Sequence, residues 1–289
     1  MWLLSEAEAA SRNASRAAAA LATAGALARL NAAAYCPRAT LANWTCARCT
    51  PIAGAVDIVA VVRDEVWDLA AYAGYSHALA APVLVFRGTD SRSVGNWAEN
   101  MRYWRTDLPL PVPGAAGAMV HTGFFESWNA SALAPALIAA AASLAAAHPG
   151  RPLYVSGHSL GAALATVAAV DIGARLPGVG VRLVTFGSPR VGNAAFSRFV
   201  AASTTLSLRV THNRDIVPSV PPTWVGFHHA AREAWQVDVD GAGVVSLCDA
   251  SGEDPRCHDS VCLLGLCTSV ADHLTYLGAP MMRDGGGPC

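Results

Sequence analysis

The chain has 289 residues, enough for one large α/β domain or two small ones around a substantial core. Its 20 basic residues are all arginine and meet 21 acids, for a formal charge of −1, so there is no basic field to hold a phosphate backbone and nucleic-acid binding drops out. Hydrophobic residues make up 53%, which excludes disorder, and the 14% charged fraction is thin for a cytosolic surface.

The start, Met1-Trp-Leu-Leu, is interrupted at once by Glu6 and Glu8, with no basic n-region ahead of a long apolar run, so no signal peptide is expected there. Ala17 to Ala34 is alanine-rich with Leu21, Leu27 and Leu30 spread over it. This predicts a helix laid on the surface of the domain, and residues 1–31 are assigned to it. Val56 to Val62 and Pro82 to Phe86 read as strands, with Tyr72-Ala-Gly-Tyr75 as a turn region between them. Phe124 to His148 is helical in pattern. Its least polar stretch, Ala132 to Ala147, carries Pro135 and falls short of the roughly 20 strongly apolar residues of a membrane span. Leu153 to Ser156 reads as strand, Leu160 to Leu176 as helix, Val181 to Phe186 as strand, Asn193 to Ala202 as helix and Leu206 to Thr211 as strand. This repeated β-α-β pattern predicts an α/β fold, a central and mostly parallel sheet flanked by helices. The Pro-rich pieces Leu108 to Pro113 and Val217 to Pro222 are short loops, so residues 1–289 are read as a single domain.

Eight cysteines occur as Cys46 with Cys49, a cluster of Cys248, Cys257, Cys262 and Cys267, and the outlying Cys36 and Cys289. The even count favours disulfides. Zinc is the rival, since the close cysteines could supply thiolates, but no second C-x₂-C follows at zinc-ribbon spacing, and neither metal nor cofactor is expected. Sequons at Asn13, Asn43 and Asn129 join the cysteines in pointing to an oxidising, extracellular setting.

The informative motif is Gly157-His158-Ser159-Leu160-Gly161, a G-x-S-x-G between a predicted strand and a predicted helix. The spacing suits a nucleophile on a sharp turn that leaves no room for side chains two residues either side, and the Leu160 amide at the helix start can donate to an oxyanion. The alternative is a glycine-rich turn around a buried serine. A serine hydroxyl needs a base and an orienting acid, which follow in this fold class in the order Ser, Asp, His. Asp215 lies just past the strand ending at Thr211. Of the later histidines, His228 and His229 sit side by side in a predicted strand, His258 lies between cysteines, and His273, 58 residues past Asp215, is chosen as the base; by position alone Asp215 or His273 could instead be a surface or capping residue. Asp272, the neighbour of His273, is read as a charge at a helix terminus.

Further segments accompany these: Ala-Ala-Ala-Tyr35-Cys36, Phe86-Arg-Gly-Thr89 with Asn96-Trp97, Val120-His121-Thr-Gly123-Phe124, Phe186-Gly-Ser-Pro189-Arg-Val-Gly192-Asn193, Thr211-His-Asn-Arg-Asp215-Ile-Val-Pro218 and Asp272-His273-Leu-Thr-Tyr276. In this order, over residues 32–289, the chain resembles the secreted fungal triacylglycerol lipases of the class 3 family, whose relatives include feruloyl esterases and phospholipase A1 enzymes. The resemblance implies an α/β-hydrolase with Ser159 as nucleophile, His273 as general base and then acid, and Asp215 as orienter. It implies Thr89 as the second oxyanion donor beside Leu160. It also implies a short amphipathic lid over Ser91 to Met101, including Ser93, Asn96 and Trp97, which opens at a lipid–water interface. By the same resemblance Cys36 pairs with Cys289 and Cys46 with Cys49. Local pairing, Cys248 with Cys257 and Cys262 with Cys267, is one of three connectivities for the rest. The expected activity is that of a secreted, monomeric, cofactor-free serine ester hydrolase acting on glycerides. A feruloyl esterase, a phospholipase A1-like esterase, an acyltransferase or a catalytically silent lipid-binding protein on the same scaffold remain the alternatives.

Overall fold

The strands that carry the core are short, apolar and buried on both faces, as strands covered by helices must be. A computed structural model of the chain describes residues 6–52, 54–89, 94–110, 114–230, 232–262, 267–283 and 289, and only the backbone of 6–14 and 16. The helices are α1 (Glu6–Ala33), α2 (Arg38–Ala42), α3 (Val94–Glu99), α4 (Thr122–Asn129), α5 (Leu133–Ala147), α6 (Leu160–Arg175), α7 (Ala194–Ser203) and α8 (His258–Val261). The strands are β1 (Val56–Asp64), β2 (Leu69–Ser76), β3 (Ala81–Phe86), β4 (Arg105–Asp107), β5 (Met119–His121), β6 (Leu153–His158), β7 (Val181–Phe186), β8 (Leu206–His212), β9 (Glu233–Val239), β10 (Ala242–Leu247), β11 (Thr275–Tyr276) and β12 (Ala279–Pro280). Eight of these form one sheet in the order β1-β2-β3-β6-β7-β8-β9-β10. From β3 to β9 neighbours run parallel, while β1, β2 and β10 are antiparallel additions at the two edges.

Side chains alternate across the sheet. Leu84, Phe86, Val155 and Leu183 join a core with the apolar sides of α4, α5, α6 and α7. Val83, Val85, Tyr154 and Val184 face the opposite core, closed by the second half of α1. That half is no surface layer: Ala24, Leu27, Ala28 and Leu30 are buried, because the small alanines let the helix sit close to the sheet. No single helix among the described residues is long and apolar enough to cross a membrane.

Three elements differ from the sequence reading. The helix expected over Phe124 to His148 is two helices, α4 and α5, bent by 66°. Ser131 breaks it by donating to the Trp128 carbonyl and accepting from the Leu133 amide, while the Ala132 amide turns to Asp64. Tyr72 to Tyr75 is not a turn but the middle of β2, where Gly74 lets the Asp57 carbonyl of β1 approach closely. His228 and His229 lie outside any named strand, with His228 in an isolated bridge to Gly192.

All the parallel strands point their carboxyl ends to one edge of the sheet. The segments that carry Thr89, Ser159 and Asp215 leave β3, β6 and β8 there, the edge at which open α/β sheets place ligands.

Candidate active site

Ser159 stands between the last residue of β6 and the first of α6 with φ +59° and ψ −129°, a left-handed backbone that a non-glycine residue holds only under constraint. The glycines make the turn possible. A Cβ on Gly157 would run into the Gly161 carbonyl, and one on Gly161 into the Phe86 carbonyl. The Ser159 amide is fixed by the Phe186 carbonyl at 3.0 Å, and Leu160 opens α6, where the first amides of a helix have no partner within it.

Asp215 and His273 arrive from the loops after β8 and before β11, and both are fully buried. His273 Nδ1 lies 2.8 Å from Asp215 Oδ2. The same oxygen accepts the Tyr276 hydroxyl, and Asp215 Oδ1 accepts the Val217 amide at 2.8 Å. Burial pushes the Asp215 carboxyl upward. The charge and hydrogen bond of His273, with the bonds from Tyr276 and Val217, more than reverse this and hold it below the ordinary carboxylate range. The other candidate histidines are engaged differently: His258 Nε2 donates to the Asp215 carbonyl at 3.0 Å and His229 Nε2 to the Pro218 carbonyl at 2.9 Å. His273 alone of the four puts a ring nitrogen on the carboxylate of Asp215.

Three buried polar atoms at this site have no hydrogen-bond partner among the described residues: Ser159 Oγ, His273 Nε2 and Thr89 Oγ1. Ser159 and His273 therefore do not bond to one another in this structure, as is common where the contact tightens only around substrate. They are held close through their neighbours. His158, next to Ser159, holds its ring 4.4 Å from that of His273 at a tilt of 35° and donates Nε2–H to the His273 carbonyl at 2.9 Å. Its Nδ1 takes the Tyr35 hydroxyl at 2.6 Å, and Tyr35 in turn accepts the Gly88 amide at 3.1 Å. Burial, then the charge of His273, drives the His158 pKa far below the usual imidazole range, so it serves here as a neutral strut. One chain of bonds thus spans the loop of Gly88 and Thr89, the serine turn and the histidine loop. Gly88 presses this contact further: a Cβ there would meet Ser159 Cβ at 2.9 Å.

Helix α3 packs against the His273 loop and α4. Val94 and Ala98 are buried, Gly95 sits beside Val270 of the His273 loop, and Trp97 stacks on Phe124 with ring centroids 6.3 Å apart. Asn96 is exposed, and Ser93 lies outside the described residues.

The family model for lipase (class 3) matches residues 83–224, a span that contains Thr89, the serine turn and Asp215. The chain is 32% identical over 254 residues to the lipase of Rhizomucor miehei, covering 86% of this chain and 66% of that protein. It is 40% identical over 227 residues to the secreted mono- and diacylglycerol lipase 1 of Fusarium solani, covering 76% and 63%. It thus spans less than two thirds of the length of these relatives. The solved structure of lipase II from Rhizopus niveus superimposes with a TM-score of 0.80 at 30% identity, over 92% of this chain and 97% of that one. The chain belongs to the class 3 lipase family. Its fold is the α/β-hydrolase fold.

All eight cysteines of the chain are paired, Cys36–Cys289, Cys46–Cys49, Cys248–Cys257 and Cys262–Cys267. His258 with Cys262 and Cys267, and Asp254 with Cys248 and Cys257, cluster closely enough to suggest metal sites, but a disulfide sulfur offers no thiolate. Asn43 and Asn129 are exposed, and the side chain of Asn13 lies outside the described residues. Asp272 is more than a terminal charge: its carboxylate accepts from the Arg214 amide and the Asn213 side chain, tying the His273 loop to the Asp215 loop. Sequence reasoning gave Tyr35, His158 and Tyr276 no role of their own. Each acts through bonds to residues far away in the chain, and only their place inside the family's motifs marked them.

Proposed function

We propose that the protein is a secreted, monomeric serine carboxylic ester hydrolase that acts on glycerides through an acyl-enzyme. The observation that carries this reading is a strained serine turn beside a histidine already bonded to Asp215, with Ser159 Oγ, His273 Nε2 and Thr89 Oγ1 all buried and without a hydrogen-bond partner among the described residues. In this reading His273 Nε2 takes the Ser159 proton as Oγ attacks the ester carbonyl, and the Leu160 amide and Thr89 donate to the oxyanion. The leaving alcohol then receives the proton from His273, and water attacks the acyl-serine by the same relay. Asp215, held ionised, stabilises the imidazolium and fixes its tautomer.

Glycerides as substrates are supported by the names of the relatives, a lipase and a mono- and diacylglycerol lipase. Contact with a lipid–water interface is supported by large apolar side chains left exposed. Trp104, just after the α3 segment, is 64% exposed, and Trp224, past the Asp215 loop, is 75% exposed. Val66 and Trp67 project from the β1–β2 turn at the same carboxyl edge of the sheet, where the Arg87 amide bonds the Ala70 carbonyl. Burying such side chains in lipid is favourable by about 25 cal/mol per Å². Secretion is supported by the four disulfides, by the exposed sequons at Asn43 and Asn129, which we assign as glycosylation sites along with Asn13, and by the word "secreted" in a relative's name.

The test is a panel of p-nitrophenyl esters, emulsified triglyceride, monoglyceride, phospholipid and methyl ferulate, each compared with Ser159→Ala. Glyceride hydrolysis lost in the variant is the expected result. Wild type and variant equally inert on every ester would sink the reading, and a dominant rate on methyl ferulate would move the activity to phenolic esters.

A further inference from the structure

The described residues of the cysteine-rich segment from Cys248 to Cys267 bond repeatedly to the loop that carries Asp215. Glu253, inside the Cys248–Cys257 loop, receives Arg190 in a two-point bridge, Nε to Oε1 at 2.9 Å and Nη2 to Oε2 at 2.7 Å. So gripped, Arg190 turns its remaining nitrogen, Nη1, to three carbonyls of the Asp215 loop: Pro218 at 3.2 Å, Ser219 at 3.0 Å and Pro221 at 3.2 Å. Glu253 Oε1 also takes the His229 amide at 2.8 Å, and the His229 ring reaches the Pro218 carbonyl. A few residues on, the buried His258 donates to the carbonyl of Asp215 itself at 3.0 Å and touches the Cys262–Cys267 disulfide, with its Nε2 3.2 Å from Cys262 Sγ. Arg209 of β8 fastens the segment from below, through the Gly252 carbonyl at 2.9 Å.

We infer that this segment is a clamp for the catalytic carboxylate, with Glu253, Arg190 and His258 as positioning residues. This deepens the ester-hydrolase reading and rests on it. The physical reason lies in the geometry of the loop. The carbonyls of residues 215, 218, 219 and 221 all point into donors held by the segment, and their peptide planes set where the Asp215 side chain and the Val217 amide that bonds it can lie. A buried guanidinium with three carbonyls, the Glu253 carboxylate and, at 3.5 Å, that of Asp259 has few satisfying arrangements, because its fork is planar and its charge needs these partners. Two disulfides limit how far Glu253 and His258 can drift. Replacing Glu253 with its neutral isostere takes away the two-point carboxylate partner of Arg190 and leaves only the longer 3.5 Å contact with Asp259, so its grip on the loop loosens.

The test compares Glu253→Gln, His258→Phe and His258→Gln with wild type on a soluble p-nitrophenyl ester, with phosphonate titration to count competent sites. Hydrogen exchange of the Val217 amide, which reports the Asp215 carboxylate directly, is measured on the same proteins. Glu253→Gln and His258→Phe are expected to lower kcat by about ten- to a hundredfold with KM within about twofold, and to speed Val217 exchange at least tenfold while the β6 and β7 amides keep their protection. His258→Gln, which keeps an N–H for the Asp215 carbonyl, should remain within about threefold of wild type in both readouts. The clamp is overturned if Val217 exchange and kcat both stay within twofold in Glu253→Gln and His258→Phe, or if every loss follows a general rise in exchange across the sheet. If Glu253→Gln does not fold, the His258 pair carries the same comparison. A wild type inert on all esters defeats the hydrolase reading, and Val217 exchange still decides the clamp.

Discussion

Replacing Thr89 by valine separates the oxyanion role from every structural role of that residue. Valine matches threonine in shape, and the Thr89 hydroxyl has no hydrogen-bond partner among the described residues, so the substitution breaks no bond to any of them. Folding stability should therefore stay within about 1 kcal/mol of wild type, a shift of roughly 2–4 °C in Tm for a chain of this size. The reaction loses a donor needed only when charge develops on the carbonyl oxygen. One such donor is worth about 2.7–4 kcal/mol, or about 10²–10³ in kcat, with KM little changed because ground-state binding does not use it. Thr89→Ser restores the hydroxyl and should recover all but about fivefold. The assay is kcat and KM on a soluble p-nitrophenyl ester beside a thermal melt. A loss of less than about threefold in Thr89→Val, or the same loss in Thr89→Ser, would refute the assignment of the hydroxyl. The Leu160 amide and the Thr89 backbone would then carry the oxyanion alone.

Tyr276→Phe removes the hydroxyl donated to Asp215 but leaves its bonds to His273 and Val217, so kcat should fall about three- to tenfold and stability by about 1–3 kcal/mol. Because the Asp215 carboxyl is held low, its contribution to stability is present above the unfolded carboxylate range and lost as pH falls through the folded value. Acid unfolding of Tyr276→Phe, followed by circular dichroism, should accordingly begin at a higher pH than in wild type. Asp259 is the opposite case: burial, with the charge of Glu253 beside it, overrides Arg190 and pushes its carboxyl up to about 6. Its contribution is complete below the unfolded value near about 3.9 and lost as pH rises through about 6, so urea unfolding should show Asp259→Asn losing about 1–2 kcal/mol less than wild type between those limits. Joint Cys36→Ser and Cys289→Ser substitution opens a loop of sequence separation 253 and should lower stability by about 2–5 kcal/mol, read as a lower urea midpoint.

The parts of the architecture legible in the sequence are those whose cause is local. Val181 to Phe186 is rich in β-branched and apolar residues and is a strand over the same residues, and Gly157 to Gly161 marks the serine turn because the steric demand of the turn falls on its own glycines. What was misread depends on distant partners. Tyr72-Ala-Gly-Tyr75 looks like a turn because of Gly74, yet that glycine serves the close approach of β1. The strands β9 and β10 were not foreseen, since Glu233, Gln236 and Asp238 are polar for reasons seen only in three dimensions. Glu233 bonds Arg209 and Thr211, Gln236 takes the Leu277 amide, and Asp238 reaches His212 and Asn213. In the site, chain order and the family resemblance pointed to Ser159, Asp215 and His273. The struts around them, Tyr35, His158, Tyr276, Arg190 and His258, have no local signature, because each is defined by a bond to a residue from another part of the fold.

The central claim, that one serine, one imidazole and one carboxylate act as a unit, is tested most directly by covalent labelling. Wild type, His273→Ala and Asp215→Asn are exposed to a p-nitrophenyl alkylphosphonate, and the labelled peptide is identified by mass spectrometry. The account predicts a single adduct on Ser159 in wild type, formed at least about a thousandfold more slowly in either variant while each remains folded. An adduct on another residue, or labelling of Ser159 at equal rates in all three proteins, would contradict it.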